Sequence, residues 1–405
     1  MIPNWNLKKL ALAVLLSLMQ FGAGAQFYSV GDDRFSRWYS IESENYKVIY
    51  PLGLDSLARE YARELERFRR PVGLTSGYLP GEKIRGRMPV VLHPHNAVSN
   101  GSVAWAPKRM DAFTIPQIYG SEAHPWITQL AVHESRHISQ MQFGLDSTQG
   151  VIGWFLGEMW NGLTAAIYTE SSFLEGDAVI AETELTRSGR GRKADFLNYY
   201  MVSFDQGDLR DWDQWRFGSQ KKYTPDWYAL GYLTYGGMRW LYDRDDYTDE
   251  YLHYAAKHFF RFDVRDVIAK HTTGKNLVHS FPAIRDSVTA VWQKDAEVRK
   301  PYMPMEQITA EPRKTADYEN FTIIGSSLFS IKHGFNDNYK LVRIDLSGHF
   351  ADTLGPARQF PEKFISFFNG NSGQLYPSPD GKQLYWSEAI PDARWTVRYT
   401  SDLRY

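Results

Sequence analysis

At 405 residues the chain is long enough for two or three domains, and its 46 basic and 47 acidic side chains give no excess that would favour nucleic acid or another polyanion. It has no cysteine, which excludes disulfides and lipid attachment at a cysteine, so any transition-metal site must be built from histidines and carboxylates. Aromatic residues reach 15%, an excess that suits cores, peptide grooves and sugar grooves alike and decides between none of them.

The chain opens with Lys8 and Lys9, an apolar run from Leu10 to Phe21, and Gly22-Ala23-Gly24-Ala25. A short positive region, an apolar stretch too short to span a bilayer and an Ala-x-Ala site describe a secretory signal peptide over 1–25, cleaved after Ala25. The mature chain is therefore expected to be periplasmic, held at the cell surface or secreted, with no membrane span. Tyr46 to Tyr50 alternates and reads as a strand. A helix from about Ser56 to Arg70, capped by Asp55, should follow, with Leu57, Tyr61, Leu65 and Phe68 at three- and four-residue steps. Met88 to Leu92 and Asp111 to Ile115 read as further strands, with a turn signal at Ser99-Asn100-Gly101 between them. A small mixed sheet with a helix on one face is the expected opening.

From Pro125 to about Glu184 the pattern turns helical, and Ile127, Leu130, Ala131, Glu134, His137, Ile138 and Met141 share one face. Further helices are expected near Tyr228 to Tyr242, Asp249 to Phe260 and Ser280 to Val298. A polar, Pro-containing linker over 301–317 leads to short alternating strands in 318–405, among them Phe321 to Ile324, Leu328 to Ile331 and Leu341 to Asp345. Pro379-Asp380-Gly381 reads as a hairpin turn. The alternating run at Trp395, Val397 and Tyr399, close to the last residue, suggests the first part of a longer protein.

The strongest chemical signal is His133-Glu134-Ser135-Arg136-His137. On a helix, residues four apart lie one turn apart on one face, so both imidazoles can reach one ion while Glu134, displaced sideways, approaches a zinc-bound water as its base. A catalytic zinc takes a third protein ligand. Glu175, in Phe173-Leu174-Glu175-Gly176-Asp177-Ala178, is a candidate because an unpaired charge in that apolar setting would be costly; Glu158, Glu170, Glu182 and Glu184 are alternatives. Tyr228, ahead of Tyr232, could stabilise an oxyanion, and Asp177 or Glu182 could accept the second N–H of a metal-bound histidine. Arg136 reads as solvent-facing, and His93 and His95 as loop residues rather than a second metal site.

An HExxH helix followed by Leu-Glu-Gly-x-Ala opening a second helix resembles the gluzincin metallopeptidases of the peptidase MA-like type, over roughly Tyr46 to Val298. The resemblance implies an α+β, zincin-like domain (a small mixed sheet plus a helical bundle) over 26–300, one catalytic zinc held by His133, His137 and Glu175, and Glu134 and Tyr228 as catalytic groups. It also implies that the strand Asp111 to Ile115 is the edge that pairs with an extended substrate. The 37 residues between His137 and Glu175 exceed the family's usual gap, and the insert Phe143 to Thr169 is expected to form an extra helix or a cleft wall. Ser378-Pro379-Asp380-Gly381 is similar to the blade turn of TolB-like β-propellers; with one clear copy, 318–405 would be an incomplete propeller offering a surface to a protein partner. The expected function is an exported zinc peptidase acting on peptide or protein substrates. The alternative is a non-catalytic binding or scaffold protein of the cell envelope on the same frame. A glycan-processing role lacks a defensible carboxylate pair.

Overall fold

The computed structural model describes residues 37–117, 123–219, 221–304, 308–309, 316–334, 337–347, 360–370, 373–393 and 399–405; the signal segment 1–25, much of the expected linker, and Trp395 and Val397 lie outside them. The chain is α+β, with eleven helices among the described residues and small sheets, none closed into a barrel or propeller. It divides into two units. The first comprises the described residues up to Ala290 apart from His95–Val98 and Phe217–Thr224, and these two segments join Val291–Tyr405 in the second.

In the first unit the expected mixed sheet is present. Its strands are β1 (Trp38–Glu42), β2 (Tyr46–Pro51), β3 (Met88–His93), β4 (Gly101–Ala104) and β5 (Arg109–Phe113), in the order β1-β2-β3-β5-β4. β2, β3 and β5 run parallel, with Val48 opposite Val90 and Val90 opposite Met110, while β1 and β4 are antiparallel edges. The strand expected as the substrate-pairing edge is therefore interior: β5 is flanked on both sides, and β4, with Ser102 opposite Asp111, forms that edge. Tyr46, Val48, Tyr50, Met88, Val90 and Leu92 alternate into the core.

Helix α1 (Asp55–Leu74) contributes Tyr61, Leu65, Phe68 and Val72 to that core. It continues past Pro71, where the sequence suggests a stop, because Val72 is buried and its carbonyl accepts a hydrogen bond from Arg136 (2.6 Å). Asp55 lies in the first turn without capping the helix, and its carboxylate accepts from the Tyr50 hydroxyl instead.

The helical part consists of α2 (Trp126–Gln140), α3 (Ser147–Leu156), α4 (Glu158–Tyr168), α5 (Ser171–Leu185), α6 (Asn198–Asp205), α7 (Trp212–Phe217), α8 (Trp227–Tyr242), α9 (Tyr247–Lys257), α10 (Val264–Thr273) and α11 (Leu277–Val298). The insert forms a 3-10 turn at Met141–Leu145 and then two helices, α3 and α4. α5 and α8 approach closely because both lack a side chain at the crossing. A Cβ on Gly231 would fall 1.7 Å from the Ser172 carbonyl oxygen, and one on Gly176 would fall 2.2 Å from the Gly231 backbone. α8 is capped by Asp226, which accepts from the Ala229 N–H (3.1 Å). Among the described residues no helix is long and apolar enough to cross a membrane.

The second unit carries a four-stranded antiparallel meander, β6 (Ala316–Ile324), β7 (Ser327–Gly334), β8 (Asp337–Asp345) and β9 (Glu362–Phe367). A smaller sheet follows, of β10 (Tyr376–Pro377), β11 (Leu384–Pro391) and β12 (Tyr399–Arg404). Ile331, Leu341, Phe368 and Leu375 form one apolar cluster and Leu328, Ile344 and Phe360 another. The Pro-Asp-Gly hairpin closes β10 onto β11 with Tyr376 opposite Tyr385. Gly381 takes φ +66°, and Ser378 Oγ accepts from the Gln383 N–H (2.9 Å). β6 starts at Ala316, inside the stretch expected as linker.

Candidate metal centre

His133 and His137 project from α2, one turn apart, toward Glu175 in the second turn of α5. The two Nε2 atoms are 3.2 Å apart, and Glu175 Oε2 lies 3.3 Å from the first and 3.1 Å from the second. Ligand atoms on a tetrahedral ion with bonds of ~2.0–2.1 Å lie roughly 3.3–3.4 Å apart, so the triangle's edges are close to, and slightly shorter than, those such an ion requires. Two imidazole nitrogens and a carboxylate oxygen also form a suitable donor set. His133, His137 and Glu175 can thus hold a metal ion.

The far side of each imidazole is fixed. His133 Nδ1 lies 3.1 Å from Glu182 Oε2, and His137 Nδ1 lies 2.9 Å from Gln140 Oε1. Both acceptors favour the proton on Nδ1, which turns the Nε2 lone pairs toward Glu175. Arg190 makes two charge-assisted hydrogen bonds to Glu182 (2.7 and 3.1 Å), and its guanidinium also lies 2.9 Å from His133 Nδ1. Burial works against the charge on Glu182, but His133 and Arg190 outweigh it and hold the carboxyl near 2. Burial likewise disfavours a protonated His137, yet Glu175 prevails and lifts it to about 9, while Glu175 itself lies far below the ordinary carboxylate range. The three groups thus form a tight charge cluster in which protons and a metal ion compete for the same lone pairs.

Glu134 is buried one residue along the same helix, and its Oε2 has no hydrogen-bond partner among the described residues. A buried, unpaired carboxylate oxygen costs free energy unless a small molecule meets it, and here it borders the ligand triangle. Burial raises its pKa from the ordinary value, against the pull of the two histidines. β4 passes directly over it. A Cβ on Gly101 would come within 2.7 Å of Glu134 Oε1 and 2.5 Å of Leu130, so the strand can lie this close only where it has no side chain.

Tyr228, at the start of α8, lines the same cleft, with its ring stacked 6.2 Å from that of His133 and the Arg190 guanidinium 4.7 Å from its centroid. Burial, reinforced by Glu175, raises its hydroxyl well above the usual value, so it stays a proton donor. Tyr232, its weaker rival, instead packs over Gly191, where a Cβ would fall 2.3 Å from its hydroxyl oxygen.

The remaining carboxylates are occupied elsewhere. Glu158 pairs with Lys108 (2.7 Å), Glu184 with Arg239 (3.0 Å), and Glu170 with Arg216 (3.1 Å) and the Tyr235 hydroxyl. Asp177 contacts no histidine. It holds Arg136 through two hydrogen bonds of 2.6 and 2.8 Å and also accepts from Thr248 and Gln140. Arg136 is accordingly not solvent-facing but 0% exposed: Asp177 neutralises it, and the Val72 carbonyl and Thr75 hydroxyl, at the end of α1, accept from its Nη1. His93 is not a loop residue either. It ends β3, buried, 2.9 Å from Asp111, which also binds Arg109 at the cleft wall, while His95 is an exposed bend residue.

Arg190, Gln140 and Gly101 carry no motif that marks them. Gln140 follows His137 by three residues on its helix, a spacing that could have suggested it, and Arg190 sits in a Gly-Arg-Gly run whose tight turn (Gly189 φ +99°) folds it back on α5. The chain matches no protein-family model, no curated protein and no solved structure.

Proposed function

We propose that this chain is an exported zinc metallopeptidase of the gluzincin type, in which His133, His137 and Glu175 hold the metal and Glu134 is the general base. The observation that carries the reading is a ligand triangle of 3.1–3.3 Å edges beside a buried carboxylate oxygen that has no partner of its own among the described residues. Zinc, when bound, would polarise the scissile carbonyl and acidify the attacking water.

The chain's own groups account for the rest. Glu134 takes the water's proton on its unpaired oxygen and returns it to the leaving amine. Tyr228, kept protonated, donates to the developing oxyanion. The free side of β4 offers backbone groups to an extended polypeptide laid antiparallel to it, with Gly101 giving the scissile bond access to Glu134. Glu182 and Gln140 hold the imidazoles in one tautomer, and Arg190 holds Glu182 in place. In this reading the meander and the Ser-Pro-Asp-Gly hairpin are strands of an incomplete TolB-like propeller that offer a surface to a protein partner or substrate.

The direct test is cleavage of an unfolded protein substrate by the chain from Gln26 onward. Hydrolysis should be abolished by a chelator, restored by zinc, and reduced about 10²–10⁴-fold in Glu134→Gln. Equal hydrolysis by wild type and Glu134→Gln would remove the proposed base. No hydrolysis of any peptide by zinc-loaded protein would favour the scaffold alternative.

A further inference from the structure

The insert between the two metal-binding helices forms an apolar corner. From Ser147 to Tyr168 the one charged residue is Glu158, and it is bound to Lys108. Where α3 meets α4 at Gly157, Val151, Trp154, Phe155, Leu156 and Met159 all face solvent, Trp154 at 74% and Phe155 at 73%. The corner projects: a Cβ on Gly157, at φ +69°, would meet nothing within 4 Å. It is nonetheless held firmly at its base. Gln149 donates to the Ala255 carbonyl (3.2 Å), Thr148 to the Lys257 carbonyl (3.0 Å), and Lys108 to Glu158 (2.7 Å).

A second apolar segment abuts the same helices. Phe259 packs on Trp160 (ring centroids 5.8 Å apart) and Phe262 stacks on Tyr168 (5.7 Å), leaving Phe260 80% exposed and Phe262 63% exposed. Exposed Lys257 and Arg261 flank these rings; Arg261 pairs with Asp263 and Lys108 with Glu158, which leaves Lys257, among these three cations, with no ion pair among the described residues. Contiguous exposed apolar groups of this kind mark an interaction surface. An edge-to-face Trp154–Phe155 pair (ring centroids 4.7 Å apart) on a projecting corner, with no charged group beside it except the bound Glu158, suits a fluid apolar phase. An indole at the tip and cations at the rim suit the boundary between acyl chains and anionic headgroups.

We propose that the α3–α4 corner and the Phe259–Phe262 segment dock this protein on an anionic lipid bilayer, inserting Trp154, Phe155 and Phe260 at the headgroup boundary. Lys108 belongs to the turn joining β4 to β5, so docking sets the cleft beside the bilayer, next to polypeptide emerging from it. Binding depends on apolar burial and rim charge and not on the metal, so it stands or falls separately from the peptidase reading.

The test is co-sedimentation with vesicles of one part phosphatidylglycerol to three parts phosphatidylethanolamine. The protein is the chain from Gln26 onward, because the apolar leader would itself partition into lipid. Wild type should sediment with vesicles, with or without chelator. Trp154→Ser/Phe155→Ser should weaken binding at least about tenfold with an unchanged circular dichroism spectrum, since both side chains stand in solvent. Phe260→Ser should lose less, and Trp240→Ser, 59% exposed on α8, should bind as wild type. Wild type left in the supernatant, or a double variant that binds undiminished, overturns the proposal. So does a vesicle-indifferent wild type whose dimer in sedimentation equilibrium is lost in the double variant, because a second copy would then cover the corner.

Discussion

Glu134 has burial, a raised pKa and an oxygen without a hydrogen-bond partner among the described residues, a combination that costs stability unless something else meets that oxygen. Replacing it with Gln should leave metal content unchanged, because the three ligand atoms are untouched, while slowing hydrolysis about 10²–10⁴-fold; metal analysis and a turnover assay on one preparation separate the two effects. Gly101 offers a subtler probe. A methyl group there collides with the same carboxylate, so Gly101→Ala should cut kcat more than it raises KM, with metal retained. Unchanged kinetics would mean that β4 does not crowd the proposed base. Glu182→Gln keeps the shape beside His133 but removes the charge that Arg190 also depends on, and should weaken metal affinity about 10–100-fold in a competition assay with a chromophoric chelator.

Between elements, the centre depends on how α2 and α5 are pinned together. The Arg136–Asp177 pair, two residues beyond Glu175, joins them inside the core, and Thr248 and Gln140 complete the shell around Asp177. Asp177→Ala should destabilise the first unit by about 3–5 kcal/mol in denaturant unfolding, because it leaves a buried guanidinium unpaired. Gly231→Ala should separate α5 from α8, moving Glu175 and Tyr228 away from His133 and lowering metal affinity and activity together. These element-scale facts were only partly legible in the sequence. The histidine spacing, the Leu-Glu-Gly-x-Ala run and the α8 helix carry periodic signals that local geometry must obey, and the structure brings His133, His137, Glu175 and Tyr228 together. Arg136 and the edge strand are different. Whether an arginine on an amphipathic helix meets water or a buried aspartate depends on a partner 41 residues away, and β4 is four residues that alternate no more clearly than a turn. Sheet order is a long-range property that strand periodicity does not encode.

For the whole molecule, an ion shared by α2 and α5 joins segments that the sequence separates by 37 residues, so metal binding should couple to folding. Zinc at about 100 times its Kd should add roughly 2.7 kcal/mol of stability, read as a rise in the first thermal transition that a chelator reverses. The second unit has its own apolar clusters and should melt without responding to zinc.

Elemental analysis of the purified chain from Gln26 onward shows whether His133, His137 and Glu175 form one metal site. About one zinc per wild-type chain is expected, retained in Glu134→Gln and lost in His137→Ala and in Glu175→Ala. Zinc kept in Glu175→Ala would assign the third ligand elsewhere. A folded wild type that takes up no metal when zinc is supplied would mean that these three side chains do not form a zinc site.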